Sequence, residues 1–160
     1  MDINLKELSS FLVKAKTKTY AAVDSQEISS QRPGFKELEF LEEDWNYRDS
    51  YAGFFMAPGQ EIVYFKNNPT WAMAYSGGMI PEFHGDLDFA KQTFNFLKKA
   101  LSKVEESRPF RGPENLKEGD WEYIDSTKGD ITDFIGTERI LYKGKEVFKQ
   151  NYIGGLIISK

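Results

Sequence analysis

The chain contains no cysteine, and that absence removes disulfide staples, thiolate metal centres and cysteine nucleophiles from consideration. It has a single histidine, His84, so a triad-type hydrolase would have to use that residue as its imidazole base. Basic residues are in deficit: 21 Lys and Arg against 25 Asp and Glu give a formal charge of −4, which argues against nucleic acid as a direct partner. No apolar run approaches the roughly 20 residues of a membrane span. The opening Met1-Asp2-Ile3-Asn4 carries an acidic residue where a secretory leader would be basic. The expectation is a cytoplasmic protein without membrane contact.

Aromatic residues, by contrast, are plentiful, at 15% of 160 positions, and supply large rigid surfaces for a core or a pocket. Their arrangement repeats. Asp44-Trp45-Asn46-Tyr47-Arg48-Asp49-Ser50 returns as Asp120-Trp121-Glu122-Tyr123-Ile124-Asp125-Ser126. Arg32-Pro33 returns as Arg108-Pro109, and Tyr75-Ser76-Gly77-Gly78 as Tyr152-Ile153-Gly154-Gly155. The chain therefore reads as one domain, residues 1–160, made of two repeats at about 4–80 and 86–157.

Within the first repeat, Leu5, Leu8, Leu12 and Ala15 form one helical stripe, with Asn4 as N-cap and Glu7 as its capping-box partner. Residues 17–34 lack a sustained period and read as an exposed connection. Alternation predicts strands at about 36–41, from Trp45 through Phe55, at Ile62–Phe65 and from Trp71 to Gly78. Asp86 then caps a second helix whose stripe is Ala90, Phe94, Leu97, Leu101 and Val104. In the second repeat Trp121 and Tyr123 alternate, Thr127–Asp130 turns, Ile131–Ile135 pairs back, and Ile140–Tyr142 and Val147–Tyr152 flank the turn at Lys143-Gly144. The fold expected is α+β: an internal duplication of an α-β-β-β-β unit, with antiparallel sheet and both helices packed on it.

Residue patterns that suggest chemistry have structural readings beside them. Asp49 and Asp125 would share a proton if the repeats brought them together, yet residues kept in both copies fit a shared framework better. Glu82, His84 and Asp86 are spaced for a small metal site, but Asp86 already serves as a helix cap, so no metal is expected. Gly77-Gly78 and Gly154-Gly155 do not stand between a parallel strand and a helix, so no phosphate loop and no cofactor are expected. Arg32, Arg108 and Arg111 lie beside Pro or Gly in stiff loops, where a guanidinium presents its fork to an anion.

Arg32-Pro33, Tyr51-x-Gly53, Trp71-Ala72-Met73-x-Tyr75, Arg111-Gly112-Pro113 and Gly154-Gly155 together resemble an uncharacterised bacterial domain family. The resemblance spans nearly the whole chain and implies a domain found alone or fused to an XRE-type helix-turn-helix DNA-binding domain, without an assigned activity. It thus implies a stand-alone, sensor-like module.

The function expected is non-enzymatic binding of a small molecule in an aromatic pocket between sheet and helices. The residues expected to hold it are Arg32, Tyr51, Trp71, Met73, Tyr75 and Arg111, with no catalytic residue among them. Within the fourth strand, Trp71, Met73 and Tyr75 share one face and Ala72, Ala74, Ser76 and Gly78 the other. A close-packed helix favours the small face, so the Trp71 face is expected to border the cavity, with Arg32 at its rim. Two alternatives are a protein-interaction or homodimerising module working through edge strands, and an enzyme using carboxylate or tyrosine acid–base chemistry.

Overall fold

A computed structural model describes residues 3–22 and 27–159. Among these residues nine strands, antiparallel at every pairing, form one sheet. In chain order the elements are α1 (Leu5–Lys18), β1 (Glu27–Ile28), β2 (Lys36–Glu42), β3 (Trp45–Tyr51), β4 (Gly59–Phe65), β5 (Asn68–Met79), α2 (Leu87–Leu101), β6 (Asn115–Glu118), β7 (Trp121–Asp130), β8 (Asp133–Tyr142) and β9 (Lys145–Leu156). The strands lie side by side as β1-β2-β3-β4-β5-β9-β8-β7-β6. The two copies of the Trp-x-Tyr-x-Asp motif open β3 and β7.

This is a largely β architecture and corrects the expected α+β pair of helix-plus-four-strand units. β5 and β9 pair continuously from Trp71↔Leu156 to Met79↔Phe148, so the two halves of the chain share one uninterrupted sheet. The two helices, of 14 and 15 residues, are a minor part of it. Local strand limits differ too. Thr127–Asp130 belongs to β7 rather than to a turn, because the reversal falls at Ile131-Thr132, where Asp130 Oδ1 accepts from the Thr132 amide and hydroxyl. Ile131–Ile135 and Ile140–Tyr142 are not two strands, since β8 runs unbroken through Gly136 and Thr137. The 17–34 connection contributes β1, which pairs Glu27 and Ile28 with Leu38 and Glu37.

The start of α1 follows the expected chemistry: Asn4 Oδ1 accepts from the Lys6 and Glu7 amides, and Asn4 Nδ2 donates to Glu7 Oε1 at 3.0 Å. Asp86 likewise caps α2 by accepting from the Phe89 amide. Two-residue turns close the hairpins at Lys66-Asn67 and Lys143-Gly144, each with positive φ at both positions.

Both helices cover the same sheet face. Leu8, Phe11, Leu12 and Ala15 of α1 pack against Trp45, Tyr47, Val63 and Trp71, while Ala90, Phe96, Leu97 and Leu101 of α2 pack against Tyr123, Ile140 and Phe148. The covered face of β5 is therefore the large one. Trp71 and Met73 are fully buried, whereas Ala74 and Ser76 are exposed on the open side. Burying an indole removes far more apolar area from water than burying alanines, and that outweighs the closer approach a small face would allow. Among the described residues no helix is long and apolar enough to cross a membrane.

Candidate functional site

One transverse row of the covered face runs Tyr51, Gly59, Tyr75, Tyr152, Gly136, Thr127 across strands β3, β4, β5, β9, β8 and β7. The two glycines make the row work. A Cβ on Gly59 would stand 2.4 Å from the Tyr75 hydroxyl, and one on Gly136 would stand 2.2 Å from Tyr152 Cζ. Each tyrosine thus lies flat over the neighbouring strand and reaches an aspartate on the strand beyond. Tyr75 donates to Asp49 Oδ1 at 2.6 Å, and Tyr152 donates to Asp125 Oδ1 at 2.8 Å.

Opposite these aspartates in register stand two buried glutamates, Glu61 facing Asp49 and Glu138 facing Asp125. Arg111, from the loop before β6, spans the seam between the halves. Its Nε and Nη2 donate to Glu138 Oε1 at 3.0 and 2.7 Å, and its Nη1 lies 3.5 Å from Glu61 Oε1. Glu138 also accepts from Tyr123 and Gln150, and Glu61 is paired with Lys16 of α1. Burial alone would lower the pKa of Arg111, but Glu138 and Glu61 outweigh it and hold the guanidinium charged. Lys16 is lowered, chiefly by burial, with Glu61 opposing.

Beside this network lies a cavity of about 230 Å³ between α2 and the sheet. Asp49, Tyr75, Arg111 and Gln150 contribute to its floor, Tyr20, Tyr51, Phe54 and Phe94 are its aromatic lining, and Lys36, Lys91 and Lys98 supply cationic groups. The loop carrying Phe54 is pinned over the glycine pair of β5, where Met79 N donates to Phe55 O at 2.7 Å and Ala57 N to Gly77 O at 2.9 Å. Gly78 permits this approach, since a Cβ there would sit 2.0 Å from Phe55 O. Phe54 meets Phe94 of α2 edge to face, with ring centroids 5.3 Å apart.

Asp49 is the most perturbed acid at this site, pushed up to about 7 by burial first and Glu61 second, with the Tyr75 hydrogen bond partly opposing. Asp125 rises to about 6, again through burial and a facing glutamate, while Arg108 and Tyr152 hold it down. Each aspartate is engaged by its own tyrosine rather than forming a dyad with the other. Burial also pushes Tyr51 up to about 12 and Tyr75 well above its ordinary value.

Of the six residues expected at a ligand site, Tyr51, Tyr75 and Arg111 meet at this cavity. Trp71 does not. It is fully buried beneath α1, stacked on Phe134 with centroids 5.7 Å apart, and its Nε1 donates to Ile131 O at 3.0 Å. Met73 is equally enclosed in that core. Arg32 is half-exposed, lies over Phe35, and is 4.0 Å from Glu37 Oε1. The cavity does border the Trp71 face of β5, but through Tyr75 and Gly77 and with a helix over that face; neither Trp71 nor Arg32 is among its lining residues. Sequence reasoning missed Asp49 as a lining residue, although it is the lone carboxylate on the aromatic face of β3, and assigned Phe94 to a core stripe. Glu82, His84 and Asp86 are otherwise engaged, by Lys145, by Met79 O and as the α2 cap respectively.

Together these features define a largely β protein in which α2 and one sheet face flank a polar-floored, aromatic-walled cavity. The model of a domain of unknown function, DUF5680, matches residues 49–157, and the chain belongs to that family. No curated protein and no solved structure matches it.

Proposed function

We propose that this chain is a non-enzymatic, small-molecule-binding domain whose site is the cavity beneath α2. The observation that carries the reading is the combination of about 230 Å³ of space with aromatic walls and the Asp49–Tyr75 pair at its floor. Concave, mostly apolar sites with a few convergent polar groups are the usual form of small-ligand pockets. A cytoplasmic sensor role in a bacterium, in which ligand occupancy is relayed to a helix-turn-helix protein, fits the sequence resemblance and is part of this proposal.

Interaction by strand addition is less well supported. The outermost strands β1 and β6 have two and four residues and pair only with Glu37–Leu38 and Trp121–Ile124, so the open edge beyond them is confined to the ends of β2 and β7. The test of the binding reading is a thermal-shift screen of a broad metabolite library, repeated on Phe94→Trp, which narrows the cavity. Compounds that raise the melting temperature of the parent and lose that effect in the variant support it. A library without any such compound overturns it.

A further inference from the structure

The Asp49–Tyr75 pair has a counterpart that is already occupied by a cation. At Asp125, Oδ1 accepts from Tyr152 and Oδ2 accepts from Arg108 Nη1 at 3.0 Å, while Arg108 Nη2 donates to Thr127 Oγ1 at 2.7 Å. Asp125 and Thr127 thus hold a guanidinium together with Gly112 O, and Tyr152 is hydrogen-bonded to both of those side chains. The matching register positions in the other half of the sheet are Asp49, Tyr75 and Tyr51, and all three line the cavity. Arg32, which precedes a proline as Arg108 does, points its charge toward Glu37 instead.

Ion pairing along the floor gives the same answer. The ion pairs of Lys16 and Arg111 go to Glu61 and Glu138, and among the described residues none goes to Asp49. Asp49 lacks the arginine that Asp125 has; burial first and Glu61 second push its carboxyl up, as burial and Glu138 do for Asp125. A buried carboxylate without a counter-ion is stabilised by any ligand that delivers one. Planar guanidinium heads match the geometry best, because they donate in parallel to a carboxylate and lie against aromatic rings. Lys36, Lys91 and Lys98, which also line the cavity, carry the opposite preference, for an anionic group elsewhere on the same molecule.

Resting on the binding reading above, we propose that the cavity is a receptor for a guanidinium or primary ammonium head group, with Asp49 acting on it as Asp125 acts on Arg108 and Tyr75 holding Asp49 as Tyr152 holds Asp125. Molecules with such a head, a short apolar or flat body and a terminal carboxylate fit the charges of floor and wall together.

The experiment is an NMR titration of the full chain at pH 8 with 4-guanidinobutyrate, its uncharged-head analogue 4-ureidobutyrate, and tyramine with its neutral counterpart 4-ethylphenol. The expected result is saturable shifts at Asp49, Tyr51 and Phe94 with the charged-head compounds, binding at least about 10-fold tighter than their neutral partners. In Asp49→Asn that ratio falls to near 1, while folding, read from the spectrum, is retained. Equal affinity for charged and neutral heads, or a ratio unchanged in Asp49→Asn, overturns the cation assignment and leaves the cavity as a binding site. Preferential binding of the anions through the lysines overturns it in the same way. If none of the four compounds perturbs the cavity residues and the library screen is also blank, both readings fall together.

Discussion

Tyr75 and Tyr152 stand directly opposite each other where β5 pairs with β9, and each reaches away from the other to its own aspartate, Asp49 or Asp125. The seam of the sheet is thus lined by two phenols whose hydroxyls point outward over glycines. Arg111 bridges the two halves next to them through Glu61 and Glu138.

The raised pKa of Asp49 sets a pH dependence of stability. The unfolded carboxyl titrates near its ordinary value and the folded one near 7, so between about pH 4 and pH 7 the folded state holds more protons than the unfolded state. Stability from this group therefore falls as pH rises through that window and is level above it. Asp49→Asn, whose Oδ1 still accepts from Tyr75, removes the effect. Urea titrations at pH 5 and pH 8 are expected to show the variant gaining on the parent at the higher pH, by on the order of 2–4 kcal/mol.

Arg111→Met leaves Glu138 and Glu61 buried with one cation fewer. Loss of one partner of a buried ion pair costs roughly 3–5 kcal/mol, and the same range is expected here by chemical denaturation. Adding Glu138→Gln to that variant restores part of the loss, and strict additivity of the two substitutions would contradict the bridge.

Trp71→Ala is expected to cost roughly 3–5 kcal/mol, as for a tryptophan truncated in a packed core. Because Trp71 does not line the cavity, ligand affinity measured well below the melting temperature stays within about 3-fold of the parent, less than about 1 kcal/mol. A larger loss of affinity at unchanged fold would show that the indole reaches the site.

Gly59→Ala and Gly136→Ala place a methyl in the path of Tyr75 and Tyr152. Each substitution is expected to destabilise by roughly 1–3 kcal/mol, the usual cost of overpacking. The two differ in their second effect. Gly59→Ala displaces Tyr75 from Asp49 and alters binding in the cavity, whereas Gly136→Ala disturbs the Arg108–Asp125 contact and leaves the cavity alone, a contrast read by NMR.

Elements whose signals are local can be read directly along the chain. Asn4 and Asp86 fix where the helices begin, because an N-cap needs only its own next three residues. Alternation in Trp45-Asn46-Tyr47 marks a strand with two faces, and Lys143-Gly144 marks a hairpin turn. Tertiary structure decided the rest. Whether β5 ends one sheet or joins β9 in a larger one depends on pairing between residues more than 60 positions apart, which no local pattern encodes. The side of β5 that the helices cover was settled by the area of Trp71 and Met73, against the packing argument from Ala72 and Ala74. The cavity follows from the same cause: Asp49, Tyr75 and Arg111 are scattered in the chain, and they meet because Tyr75 crosses Gly59 and Arg111 bridges two glutamates from different halves.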